Sequence, residues 1–165
     1  MIVLRSHGTL PSLELEPMTS AAAGTLGPVF AGISPWSHYP FKAAALTAYL
    51  AAVEPDAPRY LIRVDDKIAG AFGLRNSWLR GPYLQFLGIV PLFQRHGIGH
   101  LVLSWVEDTA RATSERNLWV AASEFNEAGL RFYERHGFSH AARLEDLVVD
   151  GTAEILLRKR LPAKN

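Results

Sequence analysis

A mixed α/β fold built on one central sheet is what this sequence predicts, and three observations predict it. Helical spacing and strand-like apolar runs follow one another along the whole chain, without separating into an all-helical and an all-strand half. Asp65-Asp66-Lys67 and Asp150-Gly151 each join two apolar runs in the manner of a hairpin. Between them, Gln94-Arg95-His96-Gly97-Ile98-Gly99-His100 links the apolar run Tyr83 to Val90 to the clearest amphipathic helix in the chain.

Taken in order, residues 1–12 hold Gly8 and Pro11 with little periodicity and read as an arm or a short extra strand. Leu13 to Glu16 alternates as a first strand, and Thr19 or Ser20 caps a small-residue helix reaching about Ala31. Gly32 to Pro40 is a loop with two prolines and exposed-looking aromatics. A second helix is expected from about Phe41 to Val53, with Leu46, Tyr49, Leu50 and Val53 at helical spacing. Tyr60 to Val64 and Ile68 to Leu74 form a hairpin, Arg75 to Gly81 a loop containing Trp78, and Tyr83 to Val90 the next strand. The helix after the glycine turn presents Ile98, Leu101, Val102, Trp105, Val106 and Thr109 inward, with Glu107, Asp108 and Arg111 opposite. Leu118 to Ala122 is a short buried strand, and Asn126 to His136 a helix stopped by Gly137. Phe138 to Val149 and Ala153 to Leu161 close the chain as a hairpin.

At 165 residues the chain suits one domain, here 13–165, with a proper core. The composition, 48% hydrophobic and 20% charged, is that of a globular protein, and a net charge of +1 gives no electrostatic case for nucleic acid. Arg158-Lys159-Arg160 reads as solvated surface. The lack of cysteine excludes disulfides, thiolate metal sites and an acyl thioester on the protein, and no metal is expected. No apolar run is long enough for a membrane span, and Met1 to Arg5 is charged too soon for a signal peptide, so a cytoplasmic protein without a membrane partner is expected. The arm and the apolar final strands are suited to a homodimer by strand pairing, although edge strands are as often simply covered.

A glycine turn opening a helix directs backbone N–H groups and the positive end of the helix dipole into one small space, which suits a phosphate or pyrophosphate. Two readings of it fail. A dinucleotide fingerprint would need a third glycine where Val102 stands, and too little chain follows Gly99 to finish a doubly wound domain. A nucleotide triphosphatase loop would need Gly-Lys-Ser/Thr, which does not follow.

With Gln94-Arg95-x-Gly97-x-Gly99 after Val90-Pro91, and Asn126 followed by Phe132-Tyr133-Glu134-Arg135-x-Gly137-Phe138, the chain resembles the GCN5-related N-acetyltransferases from about Tyr60 to Leu161. The resemblance implies a mostly antiparallel central sheet, splayed in the middle and flanked by helices. It implies acetyl-coenzyme A as co-substrate and a small-molecule or peptide amine as acceptor. By the same likeness the amides from Arg95 to His100, through His96, Gly97, Ile98 and Gly99, hold the pyrophosphate, and Arg95 adds a charge. The backbone of Leu87, Gly88 and Ile89 pairs with the pantetheine arm like an added strand. Gly88 fits either such a close approach or simple packing against a neighbour.

Tyr133 corresponds to the family's proton donor to the leaving thiolate, although spacing alone would make it a core aromatic beside Phe132. Asn126 suits both a helix N-cap and a contact to the cofactor arm. No general base is assigned. Tyr83 to Val90 has no carboxylate, and Ala121 stands where some protein N-terminal acetyltransferases carry a Glu. Glu124, His38 or a water chain remain. On the acceptor side, Pro35 to Phe41, Asn76 to Pro82 and Glu145 to Gly151 are the relevant segments. There Trp36, Tyr39 and Trp78 either line an apolar slot or fasten loops, and Glu145 and Asp146 could attract a cationic amine. The alternatives are an acyl-coenzyme A binding or sensing module that has lost its acid–base groups, and a redox enzyme using a dinucleotide.

Overall fold

The computed structural model describes residues 1–4 and 12–162. Eight strands run β1 (Ile2–Leu4), β2 (Leu13–Pro17), β3 (Arg59–Val64), β4 (Lys67–Trp78), β5 (Gly81–Ile89), β6 (Asn117–Ser123), β7 (Ser139–Glu145) and β8 (Ala153–Arg160). The helices are α1 (Ser20–Ala31), α2 (Ala43–Ala51), α3 (Ile98–Ala112) and α4 (Glu127–Arg135). The strands pair in the order β1-β2-β3-β4-β5-β6-β8-β7. The sheet is mostly antiparallel, and β5 with β6 is its parallel pair. By contact the chain divides into two compact units, one of Met1–Leu74 with Phe86–Val106 and one of Arg75–Gln85 with Glu107–Asn165.

In the first unit, β1 pairs with β2, so part of the expected arm is a strand, while residues 5–11 of it lie outside the described residues. Thr19 caps α1 by accepting a hydrogen bond from the Ala22 N–H at 3.2 Å. Gly24, Gly27 and Pro28 are poor helix formers, yet α1 runs through them because tertiary packing outweighs propensity. A Cβ on Gly27 would meet Thr47 Oγ1 at 1.9 Å, so this glycine lets α1 and α2 close on each other. Phe30, Leu26, Leu46, Leu50, Leu61 and Phe86 form the buried core of this unit.

One expectation changes here. The second helix spans only Ala43–Ala51, and Val53, counted on its inward face, is 96% exposed beyond the helix end. Of the two roles open to Trp36, the packing favours fastening its loop: its ring stacks on Phe86 with centroids 4.4 Å apart and tilts against Phe30 at 5.2 Å. Asp65 and Asp66, at φ 47° and 63°, make the two-residue turn of the β3–β4 hairpin as the sequence suggests.

In the second unit the expected loop from Arg75 to Gly81 is mostly strand. The strand β4 continues to Trp78, and the turn is only Leu79 and Arg80, both left-handed at φ 41° and 65°. Neither is a usual residue for that conformation. Hydrogen bonds from β6 hold it: Trp119 Nε1 and Asn117 Nδ2 donate to the Leu79 and Arg80 carbonyls, both at 3.1 Å. A Cβ on Gly81 would lie 1.9 Å from the Asn117 carbonyl oxygen, so only glycine lets the strands approach there. At the far end, β7 and β8 are joined by the longer stretch Asp146 to Thr152, not by Asp150-Gly151 alone. Asp146 Oδ1 accepts from the Gly151 N–H at 2.6 Å, and Gly151 takes φ 81°.

The helix α3 is shared by both units and buries Ile98, Val102, Leu103, Val106 and Ala110. Thr109, placed inward from the sequence, is exposed, because the buried stripe is centred on Val102 and Val106. Glu107 on its flank pairs with Arg111 at 2.7 Å and with Lys159 of β8.

Candidate active site

In the first unit, the glycine turn is built by a short 3-10 turn, Pro91–Phe93, followed by Gln94. The Gln94 side chain donates from Nε2 to the Ile89 carbonyl at 3.0 Å, which ties the turn to the end of β5. The left-handed positions of the turn are Arg95 at φ 63° and Gly97 at φ 76°. Gly99 instead lies inside the first turn of α3, where a side chain would meet no backbone strain.

The first bond of the helix runs from the Leu101 N–H to the Gly97 carbonyl at 3.1 Å. The amides of Gly97, Ile98 and Gly99 precede that bond, so no carbonyl of the helix reaches them. Ile98 is buried, whereas Arg95, His96 and His100 are exposed. His96 also borders an apolar cavity of about 200 Å³ lined by Leu13, Val64, Phe93 and Leu101. This frame fits a diphosphate: donors are gathered at a helix start, the cationic residue Arg95 precedes them, and two of the positions lack a Cβ.

Leu87 and Ile89 are half-buried on β5. Gly88 between them is explained by packing, since a Cβ would fall 2.6 Å from Phe30 Cε1. Its carbonyl oxygen lies where a Cβ on Gly70 would be, at 2.2 Å, so β4 and β5 are drawn together by a pair of glycines.

Asn126 and Tyr133 belong to the second unit. Asn126 caps α4 by accepting from the Gly129 N–H at 3.1 Å, and Gly129 has no room for a side chain, its Cβ position lying 2.4 Å from Asn126 Nδ2. Tyr133 is the buried residue of α4, 9% exposed, with its ring edge-on to Phe132 at 5.2 Å and to Phe138 at 5.7 Å. Burial, and to a lesser degree the nearby Tyr83 phenol, push its pKa far above the ordinary tyrosine value. The phenol therefore keeps its proton at neutral pH and can donate it to an atom that becomes strongly basic beside it.

Of the base candidates, Glu124 is already engaged. It accepts from Arg143 at 2.9 Å and from the Ala153 N–H at 3.1 Å, and the Arg143 bond, then the amide, hold its carboxyl below the usual range. A carboxylate so held is a poor proton acceptor. His38 lies on the exposed turn Trp36–His38 of the first unit.

Residues the sequence reading did not single out complete this unit. Glu154 of β8 sits opposite Ser123 of β6, is only 7% exposed, and accepts from Ser123 Oγ at 3.0 Å. Tyr83 is half-buried, and that burial, then the charge of Glu154, raise its pKa. Glu154 stands within an apolar strand directly after a hairpin signal, and only the register reveals its burial.

In the acceptor segments, Trp78 packs edge-on to Trp119 at 5.4 Å and against Tyr83 at 4.9 Å, so it fastens the hairpin tip. Glu145 is taken by Arg143, while Leu147 and Val148 stand exposed on the β7–β8 connection.

Comparison with known proteins agrees with this architecture. A ribosomal protein bS18-alanine N-acetyltransferase from Salmonella typhimurium is 31% identical over 86 residues, which are 50% of this chain and 57% of that relative. Among solved structures, the ribosomal-protein-S18-alanine N-acetyltransferase of Escherichia coli superposes with a TM-score of 0.73 at 14% identity, covering 93% of this chain and 96% of that one. A GNAT family acetyltransferase of Elizabethkingia anophelis, solved with acetyl-CoA bound, gives 0.65 at 18% identity over 90% and 98%. At these identities the structures speak for the fold alone. The family model for the acetyltransferase (GNAT) family matches residues 21–138, and the chain belongs to that family.

Proposed function

We propose that the protein is an acetyl-CoA-dependent N-acetyltransferase that moves the acetyl group directly onto an amine of a small molecule or peptide. The observation behind it is the glycine turn, with Arg95 and Gly97 left-handed and the amides of Gly97, Ile98 and Gly99 ahead of the first helical bond. In this reading those amides and Arg95 hold the diphosphate, and the backbone of Leu87, Gly88 and Ile89 aligns the pantetheine arm. The bound co-substrate supplies an acetyl group activated as a thioester. Tyr133, kept protonated by its burial, gives a proton to the departing sulfur. Asn126 sets the start of α4 and so the height at which Tyr133 is presented. The chain has no cysteine to carry the acetyl group in between, which supports direct attack by the amine.

The Salmonella relative is named for the alanine of a ribosomal protein, so alanine-first peptides belong in the acceptor screen beside small amines. Incubation with acetyl-CoA and such a panel tests the reading. Thiol release that depends on the amine supports it. Tight acetyl-CoA binding without turnover would instead mark a binding or sensing module, and absence of acetyl-CoA binding would overturn both.

A further inference from the structure

The N-acetyltransferase reading leaves open what receives the amine, and the second unit offers a place. Strands β5 and β6 pair at Tyr83 with Trp119 and at Leu84 with Val120, and β6 then continues through Ser123 paired with β8. Strand alternation sends Tyr83 and Gln85 to the same face as Trp119, Ala121 and Ser123. The β6–β8 register adds Leu156, opposite Ala121, and Glu154, opposite Ser123, to that face.

Two features there are unusual for a plain core. Glu154 is a buried carboxylate whose orientation is set by the Ser123 hydroxyl. Gln85 Oε1, one residue past the end of the β5–β6 ladder, is buried without a hydrogen-bond partner. A buried acceptor without a donor is costly, and native proteins rarely keep one unless a water, an ion or a ligand completes it. The Gln85 oxygen calls for an N–H donor, and an ammonium group brings three of them with a charge that compensates the Glu154 carboxylate.

We propose that Glu154 and Gln85 form the acceptor-amine subsite, in which the Glu154 carboxylate binds the primary ammonium group, assisted by Gln85 Oε1, and takes its proton. This proposal rests on the N-acetyltransferase reading. In the step, one N–H bond of the ammonium breaks and an O–H bond forms on Glu154; the nitrogen keeps the electron pair as a neutral amine, and the proton later passes to water. The hydroxyl of Ser123, donating to Oε1, holds the Glu154 carboxylate in place. Ala121, standing where a family Glu could have been, leaves room on the same face for the acceptor.

The test is calorimetric titration of phenethylamine, spermidine and an alanine-first tetrapeptide into the full chain saturated with coenzyme A. Phenethyl alcohol serves as the uncharged control. The wild type is expected to bind at least one amine and not the alcohol. Glu154→Gln, which preserves shape and the Ser123 contact, is expected to weaken that amine at least tenfold and Gln85→Leu several-fold, both leaving coenzyme A affinity unchanged. Equal amine affinity in folded Glu154→Gln, or equal binding of amine and alcohol by the wild type, overturns the proposal. So does the failure of every amine to bind while coenzyme A does. Failure of coenzyme A itself to bind the wild type strikes the underlying reading instead.

Discussion

Replacing Tyr133 by Phe separates chemistry from architecture. The change removes one oxygen from a ring that is 9% exposed and leaves its edge contacts to Phe132 and Phe138 in place. No cavity of methyl size arises, so the stability change should stay within about 1.5 kcal/mol, the scale of one hydrogen bond. A general acid contributes about 10²- to 10⁴-fold to rate. That is about 2.7 to 5.4 kcal/mol of barrier, well above any effect on folding. Amine-dependent thiol release under saturating co-substrate measures kcat, and denaturant melts measure stability on the same samples. A fall in kcat of about a hundredfold or more, with near-wild-type melting, agrees with a proton donor. Unchanged kcat in a folded variant removes Tyr133 from the role, and a parallel collapse of stability would make it a core aromatic.

Three further outcomes concern the frame. Gly88→Val should cost about 1–3 kcal/mol by overpacking, because its Cβ position lies 2.6 Å from Phe30 Cε1. The combined Gly88→Val, Phe30→Leu variant should recover part of that loss in urea melts, and strictly additive losses would refute the clash. Asn126→Ala should lower stability by about 1 kcal/mol by removing the cap on the Gly129 N–H; an unchanged melt would show the cap to be dispensable. For Glu107, burial raises the carboxyl pKa, but the bonds from Lys159 and Arg111 prevail and bring it below the ordinary 4.5. A lowered acid stabilises the fold above its unfolded pKa and loses that contribution as pH falls through the folded one. Wild type and Glu107→Gln should therefore differ by about 1 kcal/mol at pH 7 and converge as the pH falls through the lowered pKa of folded Glu107; a constant gap would contradict the network.

The glycine turn, the capped helix at Asn126 and the Asp65-Asp66 hairpin were legible in the sequence because each depends on local chemistry: backbone donors, a side-chain cap, a tight turn. What stayed hidden depends on partners distant in sequence. Leu79 and Arg80 form a left-handed turn only because Asn117 and Trp119 hydrogen-bond to it, so their own residue types announce a loop. The sequence leaves Gly88 open to an approach by a ligand or by a neighbouring side chain, and the Phe30 ring beside it comes into view only in the structure. Glu154 is invisible as a functional group until the β6–β8 register sets it against Ser123. The inward face of α3 was misjudged at Thr109 for the same reason, since which stripe is buried is chosen by what covers it.

The direct test of the central claim is calorimetric titration of acetyl-CoA into the wild type and into Gly99→Leu. Gly99 lies in a helix, where leucine is the better helix former, so the variant should melt no lower than the wild type. The account predicts that the wild type binds and the folded variant does not, because the new side chain keeps the diphosphate off the amides of Gly97, Ile98 and Gly99. Equal affinity in both would contradict it.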